Sequence, residues 1–185
     1  YQDVSHLDFC ITPKGEPLTA TKTAVTSYTR AYTWDITKGP DGEYWKFIGD
    51  PAWEHDYDIF VDQTVEESLF KVYGTITVYN TNAFAVNTTV SDSVGGVAAT
   101  INCGGGDGDI TLTVPASGNA SCSYYAMLEE KANGTNTATI TSLHKYVEGT
   151  TASADYVFGD PTTVDGYPTV NVTDTFPYPG GTPEA

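Results

Sequence analysis

The sequence predicts an all-β protein, an antiparallel β-sandwich, and three observations carry that prediction. Apolar and polar residues alternate with period two almost throughout, as strands with one buried face require. Thr is abundant and Tyr occurs 13 times, whereas long helices favour Ala, Leu, Glu and Lys. No helical segments separate the strand-like runs, which disfavours a parallel α/β sheet. At 185 residues, the chain suits one domain with extensions and can bury a sizeable core.

Taken in order, the first element is a strand within YQDVSHLDFCITPKGEP. Leu7, Phe9 and Ile11 alternate with His6, Asp8 and Cys10, and PKGEP then breaks the chain. Residues 1–17 are therefore read as an N-terminal extension and 18–176 as the sandwich. PYPGGTPEA, residues 177–185, is too rich in Pro and Gly to enter a sheet interior and forms a tail. Within the body, Tyr32, Trp34 and Ile36 share one face, with Trp34 expected in the core. Tyr57, Ile59 and Val61 alternate with Asp58, Phe60 and Asp62. Val65–Phe70 is the best helical candidate, at most a turn or two. Phe70, Val72, Ile76 and Val78 then alternate with Lys71, Tyr73, Thr75 and Thr77. Further strands are expected over residues 84–91, 97–103, 110–114, 122–128, 137–143, 152–158 and 169–176. Roughly ten strands broken by Gly, Pro, Asn and Asp clusters suit a sandwich.

Charge narrows the function classes. The 24 acidic residues against 8 basic ones give a net charge of -16. Such a surface repels nucleic acid and anionic lipid and attracts divalent cations or basic partners. No apolar run approaches the roughly 18 residues of a membrane helix, so membrane insertion is not expected. The chain begins at Tyr1 without a signal-like stretch, as a processed, mature protein would. Thr-rich, Lys-poor composition with strand patterning points to the secreted and cell-surface class.

Three cysteines make an odd count. Cys103 and Cys122 each border an expected strand, and a bridge between them would stabilise by about 3 kcal/mol in the chain-entropy model. Cys10 is then left for an intermolecular disulfide, a partner outside the chain, or a buried thiol.

Motifs for chemistry are weak. GGGDGDITL, residues 104–112, approaches a calcium-binding nonapeptide, with Asp107 and Asp109 as the weak metal candidates. The motif occurs once, whereas that architecture depends on stacked repeats, so a flexible turn is the stronger reading. As a phosphate loop it lacks the following Lys-Ser/Thr and helix. In EHDYD, Glu54, Asp56 and Asp58 share a face beside His55, which reads as a solvated acidic face before a Ca2+ site. His6, His55 and His144 are not at metal-ligand spacing, and neither HExxH nor GxSxG is present. No catalytic residue and no cofactor are expected. Asn87, Asn119, Asn133 and Asn171 each begin an Asn-x-Ser/Thr sequon. Alternation turns Asn87 and Asn171 outward, opposite the inward Phe84 and Val86 in the first case, and Asn119 and Asn133 fall in turns. Covalent glycans are expected there. Trp45 and Trp53, in a loop-rich stretch, are the weak candidates for stacking on sugar rings, with packing the stronger reading.

From Leu18 onward several blocks carry a resemblance: TKTAVTSYTRAYTWDITK, VYGTITVYN, VGGVAATINC, NASCSYY, TNTATITS and FGDPTTVDGYPTVNVTDTF. Together they resemble immunoglobulin-like domains that recur in secreted and surface proteins of bacteria and archaea. The resemblance implies an Ig-like antiparallel β-sandwich, a pairing of Cys103 with Cys122, and a role outside the cell. It brings no catalytic residues. The expectation is an extracellular, non-enzymatic structural protein, a subunit of a pilus-like filament assembled by β-strand donation between copies of itself. Leu7, Phe9 and Ile11 would be the donor residues, and Cys10 could lock the joint. The alternative is an adhesive module of a larger secreted protein that binds carbohydrate or a cell surface.

Overall fold

The computed structural model describes residues 14–39 and 58–174, which form strands and, among themselves, no helix. In chain order these are β1 (Thr19–Lys22), β2 (Val25–Gly39), β3 (Asp58–Asn80), β4 (Val86–Val94) and β5 (Val97–Ala98). They continue as β6 (Thr100–Asn102), β7 (Thr111–Val114), β8 (Gly118–Leu128), β9 (Gly134–Ser142), β10 (Thr150–Tyr156) and β11 (Thr163–Asp165). The described residues divide into two compact units, 14–29 with 68–162, and 30–39 with 58–67 and 163–174. Strands β2 and β3 run from one unit into the other.

The first unit is the sandwich. One sheet runs β1-β3-β8-β6 and the other runs β10-β9-β4, with β5 and β7 paired to the other side of β4. All these pairings are antiparallel. The two sheets pack face to face around one core as an open, all-β sandwich.

Period-two patterning explains which faces meet. Phe70, Val72, Ile76 and Val78 of β3 are buried, as the alternation predicts. Val86, Val90 and Val94 of β4 and Ile140 of β9 meet them from the facing sheet. Burying each of these Val or Ile side chains contributes about 1.5–3 kcal/mol relative to exposure. At one end of the core Tyr28, Phe70 and Phe158 pack with ring centroids 5.8–6.2 Å apart.

Elsewhere two buried asparagines staple loops together. Asn80 Nδ2 donates to Phe84 O at 2.8 Å and Pro115 O at 3.0 Å. Its Oδ1 accepts from the backbone and side chain of Asn82, which in turn holds both backbone groups of Glu16. The asparagines satisfy backbone groups that no strand pairs, which is why they tolerate burial.

The second unit is a β-ribbon in the order β11-β2-β3. None of its described residues is buried. Trp34 lies here and not in the sandwich core. Its Nε1 donates to Tyr167 O at 2.9 Å, while Gln63 Nε2 donates to Pro168 O at 3.0 Å.

Three expectations need correction. Val65–Phe70 is part of β3 and not helical: strand pairing overrides a weak local preference. Leu69, at φ 58°, breaks the strand's regularity there. Residues 169–174 form no strand, because Gly166 at φ 76° and Pro168 end the extended run after β11. Phe84 turns outward, 40% exposed, and packs on the His144 ring at 4.8 Å.

Candidate functional site

Cys103 and Cys122 form a disulfide. The register Thr100↔Tyr125, Ile101↔Tyr124, Asn102↔Ser123 continues to these two residues, so the bridge ties neighbouring strands of one sheet. It closes the loop between β6 and β8. Replacing both cysteines with serine is expected to lower stability by about 3 kcal/mol, measured as a lower urea midpoint with an unchanged fold by circular dichroism.

Inside that loop the GGGDGD stretch is held by its own side chains. Asn102 Oδ1 accepts from Gly104 N at 2.9 Å and Gly106 N at 3.2 Å. Asp109 accepts from Gly105 N at 2.9 Å, Thr111 N at 3.0 Å and the Thr111 hydroxyl at 2.7 Å. These bonds hold the Asp109 carboxyl below its ordinary value, the Thr111 hydroxyl first among them. Gly104, Gly106 and Gly108 all have positive φ, which explains the glycine density. Asp107 accepts from the Tyr125 hydroxyl at 3.3 Å. Among the described residues no group of three His, Cys, Asp or Glu could hold a metal ion. Asp109 is thus a turn-forming acceptor, whereas Asp107 accepts from a side chain of β8.

All four sequon asparagines are exposed. Asn87 sits on β4 and accepts from the Thr113 hydroxyl at 2.8 Å. Asn133 accepts from Phe158 N at 2.8 Å, so its carboxamide is engaged in the fold. Asn119 lies within β8, opposite Tyr79, and not in a turn. Asn171 belongs to the ribbon unit. Leu7, Phe9, Ile11, Cys10, Trp45 and Trp53 lie outside the described residues, as do Glu54–Asp56.

Sequence reasoning missed the most unusual group among the described residues. Lys22 of β1, Asp92 of β4, Tyr124 of β8 and Asn136 of β9 converge inside the sandwich, drawn from both sheets. The Lys22 and Asp92 side chains are each 0% exposed, and Lys22 Nζ lies 2.6 Å from Asp92 Oδ2. Asn136, also 0% exposed, donates Nδ2 to that same Oδ2 at 3.1 Å. The Tyr124 ring lies beneath Nζ, 3.7 Å from its centroid, and its hydroxyl donates to Thr23 O at 2.7 Å. Burial pushes the Lys22 ammonium below its ordinary value, against the opposing pull of Asp92. Two oxygens have no hydrogen-bond partner: Oδ1 of Asp92 and Oδ1 of Asn136.

A signal for this group existed in the alternation. Lys22 keeps the inward parity of Leu18, Ala20 and Ala24; Asp92 that of Val90 and Val94; Asn136 that of Ala138 and Ile140. Three polar residues in phase with buried strand positions is a pattern worth testing as a set.

Compared with protein-family models and with curated proteins, the chain matches none.

Proposed function

We propose that this protein is an Ig-like module of an extracellular, non-enzymatic structural protein, a subunit of a pilus-like filament. In this reading, the segment of one copy that carries Leu7, Phe9 and Ile11 adds a strand to the next, while Gly15 and Glu16 stay bonded to their own sandwich. Main-chain hydrogen bonds supply affinity, and Leu7, Phe9 and Ile11 supply register by filling alternate pockets. A head-to-tail contact of this kind does not close on itself, so it grows a fibre. Cys10, on the same segment, would lock the joint covalently in an oxidising setting.

The observation that carries the reading is the ribbon. Ile36, Phe60, Val65 and Val164 are 47–56% exposed there, and Tyr167 is 78% exposed. A ribbon of so few strands is weakly stable unless something packs on it, and an exposed apolar surface of this kind marks an interaction site. A second copy covering it would explain why so many apolar residues sit on a unit with no buried residue of its own among those described. The disulfide fits an oxidising compartment. No helix among the described residues is long and apolar enough to cross a membrane. Glycans on the exposed sequon asparagines would suit a cell-surface polymer.

Deleting residues 1–12 is expected to abolish fibres in negative-stain microscopy while leaving a folded monomer. Unaltered fibres from the truncated chain would sink the proposal. A protein that never forms fibres but is retained on polysaccharide, with retention lost when Trp45 and Trp53 are replaced, would favour the adhesive module instead.

A further inference from the structure

We propose that the sandwich core is an autocatalytic cross-linking site, in which Lys22 Nζ forms an amide with Cγ of Asn136 and Asp92 moves the protons. The filament reading is not needed for this inference, because the chemistry lies within one sandwich.

Geometry is the first support. Asp92 Oδ2 touches both the lysine nitrogen, at 2.6 Å, and the carboxamide nitrogen of Asn136, at 3.1 Å. One oxygen therefore contacts both the nucleophile and the group that must leave. A general acid–base catalyst needs that position, within hydrogen-bond reach of each proton it moves. The three residues come from three strands in two sheets, so folding itself assembles them. The Tyr124 ring covers Nζ, and none of these side chains reaches solvent.

The step balances without another reactant. Asp92 takes a proton from the Lys22 ammonium, leaving a neutral amine. Its lone pair attacks Cγ of Asn136, forming the Nζ–Cγ bond. Nδ2 receives a proton from Asp92, the Cγ–Nδ2 bond breaks, and ammonia departs. Nζ gives one of its two remaining hydrogens to the same carboxylate. The product holds a secondary amide, a neutral carboxylic acid and free ammonia, with the same net charge as at the start.

Electrostatics supplies the driving logic. An ion pair in a sandwich core is costly to desolvate, and a well-packed apolar pair of similar volume often serves stability as well or better. The reaction removes both charges. It also turns Asp92 into a hydrogen-bond donor inside a site whose two orphan atoms, Asp92 Oδ1 and Asn136 Oδ1, are acceptors in the unreacted arrangement. Burial that weakens the ammonium favours the neutral amine that attacks.

Intact mass spectrometry of the reduced, alkylated and denatured wild-type chain tests this directly. The expected mass is lower by one ammonia than the sequence requires, and digestion should yield a branched peptide joining Lys22 to Asn136. Asp92→Asn is expected to slow bond formation by about 100-fold or more, leaving freshly purified protein at full mass. A wild-type chain at full mass would overturn the proposal, and so would loss of one water with Lys22 joined to Asp92. The wild-type measurement requires no variant to fold and reads the same on monomers and fibres.

Discussion

Replacing Gly74 with alanine is expected to cost about 3 kcal/mol or more, because a methyl group there has nowhere to go. A Cβ on Gly74 would stand 2.1 Å from Thr23 O and 2.8 Å from Thr23 C. Those atoms are backbone, so no side chain can swing aside to relieve the overlap. Nor can Thr23 retreat: its N donates to Thr75 O at 3.0 Å, and its Oγ1 accepts from Thr75 N at 3.0 Å. The Tyr124 hydroxyl also binds Thr23 O. Gly74 thus fixes the point where β1 passes into β2, one residue from Lys22. A urea titration measures the effect. A midpoint within experimental error of wild type would mean that the two strands can separate at that crossing without loss.

The position of Gly74 illustrates what the pattern of residues could and could not reveal. The sandwich was legible because β3, β4, β8 and β9 each bury one face, and a buried face writes its period directly into the chain. Gly74 interrupts the inward-outward series between Val72 and Ile76, and composition alone cannot distinguish a flexible glycine from one crowded by a neighbouring strand. The disulfide was legible for a related reason: Cys103 follows β6 and Cys122 lies in β8, and those two strands pair. Trp34 was misplaced because it shares the alternation of a core strand, yet β2 runs from the sandwich into a ribbon. Periodicity reports that a strand has two unlike faces, and not what lies over each face.

The buried polar group shows the opposite limit. Lys22, Asp92 and Asn136 are 70 and 44 residues apart along the chain, and each is unremarkable alone in a Thr- and Asp-rich chain. Only the pairing of β4 with β9, and the packing of β1 across from them, makes them neighbours. The oxygens of Asp109, a weak metal candidate from the sequence, are engaged by Gly105 N and Thr111 N in the fold. Sequence shows which groups can ligate, whereas the fold decides whether their oxygens are already engaged by backbone N–H groups.

Lys22→Met is expected to produce the largest loss, and combining it with a second substitution separates an ion pair from a covalent bridge. Removing one partner of a buried pair leaves an uncompensated charge, which costs about 3–5 kcal/mol. If Lys22 is instead joined to Asn136, the substitution also opens a loop of roughly 110 residues, whose closure is worth about 5 kcal/mol in the chain-entropy model. The single variant loses stability on either account. The double variant Lys22→Met with Asp92→Asn decides between them, since it removes both charges while keeping a carboxamide next to Asn136. For an ion pair alone, the second substitution should recover most of the loss, because no buried charge remains. For a cross-linked chain, the double variant should stay about 5 kcal/mol below wild type, since restoring neutrality cannot restore the bridge. Urea midpoints of the wild type and these two variants, compared at the same pH, give the answer. Recovery to wild-type stability in the double variant would reduce Lys22 and Asp92 to a buried ion pair.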